Sequence, residues 1–107
     1  MPTLNIGMLG CGNVGAEVAR LLSSDSGDFA ARAGAELLLK KIAVRDPKKS
    51  RGEINPALFT SDAESVVSDP AINIVIEVMG GINPARELLL TAMKNGKSVV
   101  TANKALL

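Results

Sequence analysis

The chain contains no histidine, tryptophan or tyrosine, and only two phenylalanines and one cysteine. Without histidine, imidazole acid–base chemistry and histidine metal sites are excluded from this stretch. The single thiol, Cys11, can neither close an internal disulfide nor build a cysteine-rich metal site, and it suits a reducing cytoplasm. Inside a glycine turn it reads as a variable filler position in preference to a reactive thiol. Proton transfer falls to Lys, Asp or Glu, or to residues outside this stretch. An excess of one charge is also missing. Lys and Arg number 12 against 11 Asp and Glu, a formal net charge of +1, so no global field draws the chain to nucleic acid or to an anionic membrane. No apolar run approaches a membrane span, and Met1-Pro2-Thr3-Leu4 leads into a strand pattern, unlike a signal peptide. Internal repeats and low-complexity tracts are absent too. What is present is ordinary globular material: 107 residues, 47% hydrophobic and 21% charged, enough for one domain with a modest core.

The most informative stretch is Gly10-Cys11-Gly12-Asn13-Val14-Gly15, which follows the apolar run Leu4 to Leu9. After it comes a helical spacing in Val14, Val18, Leu21 and Leu22. Between a strand and a helix, each glycine of G-x-G-x-x-G has a task. Gly10 permits a tight turn off the strand. Gly12 lets main chain approach a pyrophosphate, and Gly15 lets the helix pack closely on the sheet. The helix N-terminus then offers N–H groups and a positive dipole end to the phosphates.

Further along, Glu36 to Val44 reads as a second strand, with Leu37, Leu39 and Ile42-Ala43-Val44 apolar and Lys40-Lys41 marking a partly exposed face. Residues 45–60 read as a basic loop with Pro and Gly. Ser61-Asp62-Ala63-Glu64 has the form of a capping box that starts a short helix, ended by Asp69-Pro70. Ile72 to Met79 reads as the third strand, closed by Gly80-Gly81. Asn83-Pro84 starts a helix whose expected buried face is Leu88, Leu89, Ala92 and Met93, and Asn95-Gly96 ends it. Lys97 to Thr101 is the fourth strand, after which Asn103 caps the run Lys104-Ala105-Leu106-Leu107. The alternation predicts an α/β fold, a doubly wound, mostly parallel sheet of Rossmann type with strand order 3-2-1-4 and an incomplete second half. Residues 1–107 are read as a dinucleotide-binding domain that opens a longer protein.

The cofactor is read at the end of strand two. The usual fingerprint places an acid about 20 positions on, at that strand's end, for the adenosine ribose 2′-hydroxyl. Counting from Gly15 reaches Glu36, which begins the strand and so lies at its wrong end. The strand ends in Val44-Arg45-Asp46, and Arg45 takes the position of the acid, with Lys48, Lys49 and Arg51 beyond. A guanidinium there can grip a 2′-phosphate with two hydrogen bonds and stack on adenine, which favours NADP. Asp46 keeps NAD as the alternative.

Val44-Arg45-Asp46, Glu77-Val78-Met79-Gly80-Gly81 and Val100-Thr101-Ala102-Asn103-Lys104, together with the glycine turn, occur in an order that resembles the N-terminal domain of homoserine dehydrogenase. The resemblance spans essentially the whole chain. It implies hydride transfer between NAD(P)H and the pair L-aspartate 4-semialdehyde and L-homoserine, on the route to threonine and methionine. It further implies that Asn13 and Val14 with the three glycines hold the pyrophosphate, that Arg45 holds the 2′-phosphate, and that Gly80 lets the ribose and nicotinamide side pass. Lys104 matches the family lysine at the nicotinamide end. An ammonium beside the topological switch point could contact a ribose hydroxyl or polarise a substrate carbonyl. The family's substrate-binding, dimerising region with its acid–base residues follows this stretch, so the resemblance implies a homo-oligomeric full-length protein and places no catalytic residue here. It also implies that this chain alone binds cofactor weakly or not at all. Glu77, one charge inside an apolar strand, must be either hydrogen-bonded at the strand's end or part of the site.

Two other readings compete. Another NADP-dependent reductase, acting on dihydrodipicolinate or a different semialdehyde, shares the glycine turn without the Asn103-Lys104 ending. A non-catalytic nucleotide-sensing domain usually carries an acid where this chain has Arg45.

Overall fold

The apolar runs become the strands of one parallel sheet. A computed structural model describes residues 3–11, 15–17, 36–48, 54–79 and 85–101. Its strands are β1 (Thr3–Leu9), β2 (Glu36–Ala43), β3 (Phe59–Thr60), β4 (Ile74–Glu77) and β5 (Ser98–Thr101). They lie in the order β3-β2-β1-β4-β5, and each adjacent pair is parallel. Helices α1 (Ala63–Ser68) and α2 (Ala85–Lys94) accompany them, and residues 15–17 are also helical.

The expected α/β sheet is present, and the numerals 3-2-1-4 hold, but a different segment takes third place. Phe59–Thr60, within the stretch read as loop, pairs with β2 through Ile42 and Ala43. The run expected as the third strand is β4, and it pairs with β1. Two residues are too few to show a period of two, so β3 leaves no pattern in the sequence.

Strand alternation sorts the core into two layers. On one face Ile6 and Met8 pack with Leu39, Ile42 and Ile54, and Ala16 of the helical residues 15–17 joins them. On the other, Leu9, Ala43 and Val75 pack with Val66 and Val67 of α1 and Leu89 and Ala92 of α2. Helices thus cover both faces. Helix α1 sits so close to β1 that a Cβ on Gly7 would come within 2.6 Å of Val66 Cγ1.

A bulge in β2 reconciles its sequence with this layering. The register steps from Ile6 opposite Leu39 to Gly7 opposite Lys41, leaving Lys40 as the extra, exposed residue. One inserted residue reverses the parity. Leu37 and Leu39 before it therefore face the same layer as Ile42 and Val44 after it, and Ala43 turns to the other. Lys41 reaches Asp69 at the end of α1, with Nζ 3.2 Å from Oδ2.

The helix ends follow local rules with two corrections. Asp62, and not Ser61, caps α1, accepting from the Ser65 N–H at 3.3 Å, because the helix begins one residue later than the capping-box reading placed it. Asp69 ends α1 in extended backbone, as a residue before proline prefers. Helix α2 ends on Gly96 at φ +78, with the Gly96 N–H donating to Met93 O and the Lys97 N–H to Ala92 O. Its buried face is Ala85, Leu89 and Ala92, with Leu88 partly covered. Met93, expected inside, is 50% exposed because 85, 89 and 92 define the stripe and 93 has rotated past its edge.

Candidate functional site

Because all strands are parallel, their C-terminal ends gather along one edge. In such sheets the ligand crevice opens at that edge where the strand order reverses, here between β1 and β4. Three of the expected site residues lie within the described structure, and all three are at this edge. Gly10, first after β1, adopts φ +93, a conformation costly for any residue with a Cβ. Its N–H donates to Ala43 O at 2.8 Å, which joins the turn to the end of β2. Gly15 begins the helical residues, and a Cβ there would meet Val78 Cγ2 at 2.9 Å and Gly10 O at 3.3 Å. Both glycines perform the tasks expected of them: one makes the turn, the other admits the close approach of helix to sheet. Gly12, Asn13, Val14, Gly80 and Lys104 lie outside the described residues.

Arg45 is exposed, two residues past Ala43 and so beside the glycine turn in the backbone. The Val44 N–H donates to Thr60 O at 2.8 Å, and Asp46 Oδ1 accepts from the Lys48 N–H at 3.0 Å, folding the chain just after Arg45. The small strand β3 therefore braces the β2 exit, which the loop reading of residues 45–60 missed. Cys11, within the turn, is half-buried and packs against the layer that contains Met8 and Ile42.

Glu77 is hydrogen-bonded at the strand's end, as the first of its two expected roles requires. It is fully buried at the end of β4. Its Oε2 accepts from the Met79 N–H and its Oε1 from the Thr101 hydroxyl, each at 2.6 Å. One carboxylate thus ties the exits of β4 and β5 together. Met79 in turn lies against Gly10, whose Cβ, were there one, would be 3.0 Å from Met79 Cα.

At the opposite edge of the sheet, described polar side chains have partners within the fold. The Asn5 N–H donates to Asn73 Oδ1 at 2.8 Å, and the Asn5 side-chain amide donates to Ala71 O at 2.7 Å. Lys97 is buried, and its ammonium donates to the carbonyls of Asp69 and Ile72. That burial gave no sign in the sequence, where Lys97 opens the expected fourth strand directly after the Asn95-Gly96 helix stop. Among the described residues no group of His, Cys, Asp or Glu is placed to hold a metal, and no helix is long and apolar enough to cross a membrane.

Residues 10–107 match the family model for the NAD-binding domain of homoserine dehydrogenase. The chain belongs to the homoserine dehydrogenase family. It is 47% identical over 104 residues to the homoserine dehydrogenase of Mycobacterium tuberculosis, covering 97% of this chain and 23% of that protein. With the Corynebacterium glutamicum enzyme it shares 47% over 103 residues, again 23% of the relative. Among solved structures, homoserine dehydrogenase from S. aureus at pH 6.0 superposes with a TM-score of 0.88 at 39% identity, over 100% of this chain and 28% of that one. The Thiobacillus denitrificans homoserine dehydrogenase gives 0.88 at 40%, over 99% and 25%. The chain thus spans about a quarter of the length of the homoserine dehydrogenases it matches. It is the nicotinamide-dinucleotide-binding part of an oxidoreductase family, and the described glycine turn lies inside the matched region.

Proposed function

We propose that this chain is the cofactor-binding part of an enzyme that reduces L-aspartate 4-semialdehyde to L-homoserine with NADPH. The carrying observation is the glycine turn at the sheet edge. At Gly10 and Gly15 the chain passes Met79 and Val78 so closely that a Cβ at either position would collide with the protein. Glycine at both positions lets the chain run tightly from strand to helix, the arrangement in which main-chain N–H groups hold a diphosphate. When bound, the cofactor supplies a hydride to the aldehyde carbon, and the carbonyl oxygen takes a proton.

In this reading Gly10, Gly12, Asn13, Val14 and Gly15 hold the pyrophosphate. Arg45 grips the 2′-phosphate, and Gly80 and Lys104 line the nicotinamide side. No catalytic residue is assigned to the chain, and the substrate is held by other sequence of the full-length protein. The reading includes a homo-oligomeric full-length form, threonine and methionine biosynthesis, and a cytoplasmic location. The family supports the first two, and the lone cysteine supports the third.

Titration of the chain with NADPH and NADH, followed by NMR so that millimolar affinities are measurable, tests the reading. NADPH is expected to bind more tightly. Arg45→Ala is expected to erase the difference, since a charge-assisted contact contributes about 1.5–3 kcal/mol. Equal affinities in the unsubstituted chain would remove the 2′-phosphate assignment.

A further inference from the structure

A buried acid is a costly way to tie two strands, and the same sheet shows the cheaper way. At the opposite edge β1 and the approach to β4 are joined by the neutral amides of Asn5 and Asn73. At the edge proposed to take the cofactor, the work is done by Glu77, with none of its surface exposed. The two carboxylate oxygens form one rigid planar acceptor, and they accept hydrogen bonds from the exits of two different strands. Oε2 receives the Met79 N–H and Oε1 the Thr101 hydroxyl. Each partner leads somewhere. Met79 presses on Gly10, the first residue of the glycine turn. Thr101 is the last residue of β5, and Asn103 and Lys104 follow it in sequence.

We propose that Glu77 is a positioning residue for the cofactor: its buried carboxylate sets Met79 against Gly10 and orients the β5 exit that carries Lys104. The inference rests on the cofactor-site reading above. Glu77 contacts neither hydride nor substrate in this role. It sets the separation of the two walls between which the dinucleotide runs, so its loss is felt in nucleotide affinity more than in the sheet, which the strand ladders and both apolar layers already hold.

The test compares Glu77→Gln, Thr101→Val and Thr101→Ser in the full-length protein by NMR titration with NADPH, alongside thermal unfolding. Glu77→Gln replaces one acceptor oxygen by a donor, and Thr101→Val removes the hydroxyl while keeping the shape. Both are expected to keep a dispersed spectrum and to weaken NADPH by about tenfold or more, equivalent to about 1.4 kcal/mol. Thr101→Ser restores affinity relative to Thr101→Val. The Met79 amide proton, deshielded by a short bond to a carboxylate, moves upfield in Glu77→Gln. If Glu77→Gln does not fold, the pair of Thr101 variants decides. Folded variants that bind NADPH like the unsubstituted protein overturn the positioning role alone. An unsubstituted full-length protein that binds neither NADPH nor NADH overturns the cofactor-site reading and this role with it.

Discussion

The main chain of Met79 lies against Gly10 with so little space that a Cβ on Gly10 would stand 3.0 Å from Met79 Cα and 3.1 Å from its nitrogen. The exits of β1 and β4 are thereby one continuous wall, and the turn off β1 is tied on its other side to Ala43 of β2. Three strand ends thus meet at the glycine turn, which is why its geometry is sensitive to single atoms.

Gly10→Ala therefore meets two penalties, an unfavourable φ of +93 and backbone contact with Met79. We expect a loss of about 1–3 kcal/mol in stability from the strained φ, read by urea denaturation, together with loss of NADPH binding. An alanine variant as stable as the parent and equally able to bind would contradict the close approach.

Lys97→Met keeps the apolar stem of a buried lysine and deletes its ammonium, removing a donor from the carbonyls of Asp69 and Ile72. The expected loss is about 1–3 kcal/mol, again by urea denaturation. The ratio of NADPH to NADH affinity should not change, because Lys97 lies at the edge of the sheet away from the glycine turn. A shift in that ratio would show that the two edges are coupled.

Asp69 is expected to contribute to the loss of stability on the acid side. The Ala71 N–H donates to its carboxylate at 2.9 Å, and Lys41 pairs with it at 3.2 Å; these, with the field of Lys97, hold the group below its ordinary 3.8 against the opposing pull of burial. A lowered folded-state value means the folded protein binds the proton less readily than the unfolded chain. The contribution is present in full above the ordinary carboxylate range and is lost as pH falls through the lowered value. The Tm should decline below about pH 4, and Asp69→Asn should flatten that decline. An unchanged acid limb in the variant would assign the transition to other carboxylates.

The two faces of α2 separate cleanly under substitution. Leu89→Ala removes a buried side chain between β-sheet and α1 and should cost about 2–5 kcal/mol. Met93→Ala, on a half-exposed position, should stay within about 0.5 kcal/mol. Chemical denaturation of the two variants measures both, and comparable losses would return Met93 to the core.

Much of this was legible along the chain because it is local. The run before Gly10 is apolar and short, and it became β1. Gly10 and Gly15 are spaced for a turn and a helix contact, and each occupies such a place. Asn95-Gly96 stops α2 through a left-handed residue that a glycine adopts without strain. Other features gave weak signals or none. Phe59–Thr60 carries too few residues for a period, the Lys40 bulge leaves composition unaltered, and Met93 sits only one helical step outside the stripe it was assigned to.

Composition, the glycine spacing and the period of each apolar run determined by themselves that this is a parallel α/β domain with a glycine turn after its first strand, since turn geometry and strand burial are set by neighbours in sequence. Tertiary structure alone decided which segment flanks β2, which face each half of β2 presents, and what Glu77 and Lys97 bind. Those outcomes depend on groups brought together across the fold, such as Glu77 and Thr101, 24 residues apart, or Lys97 and Ile72, 25 apart. A buried charge is tolerated only where such distant partners meet it.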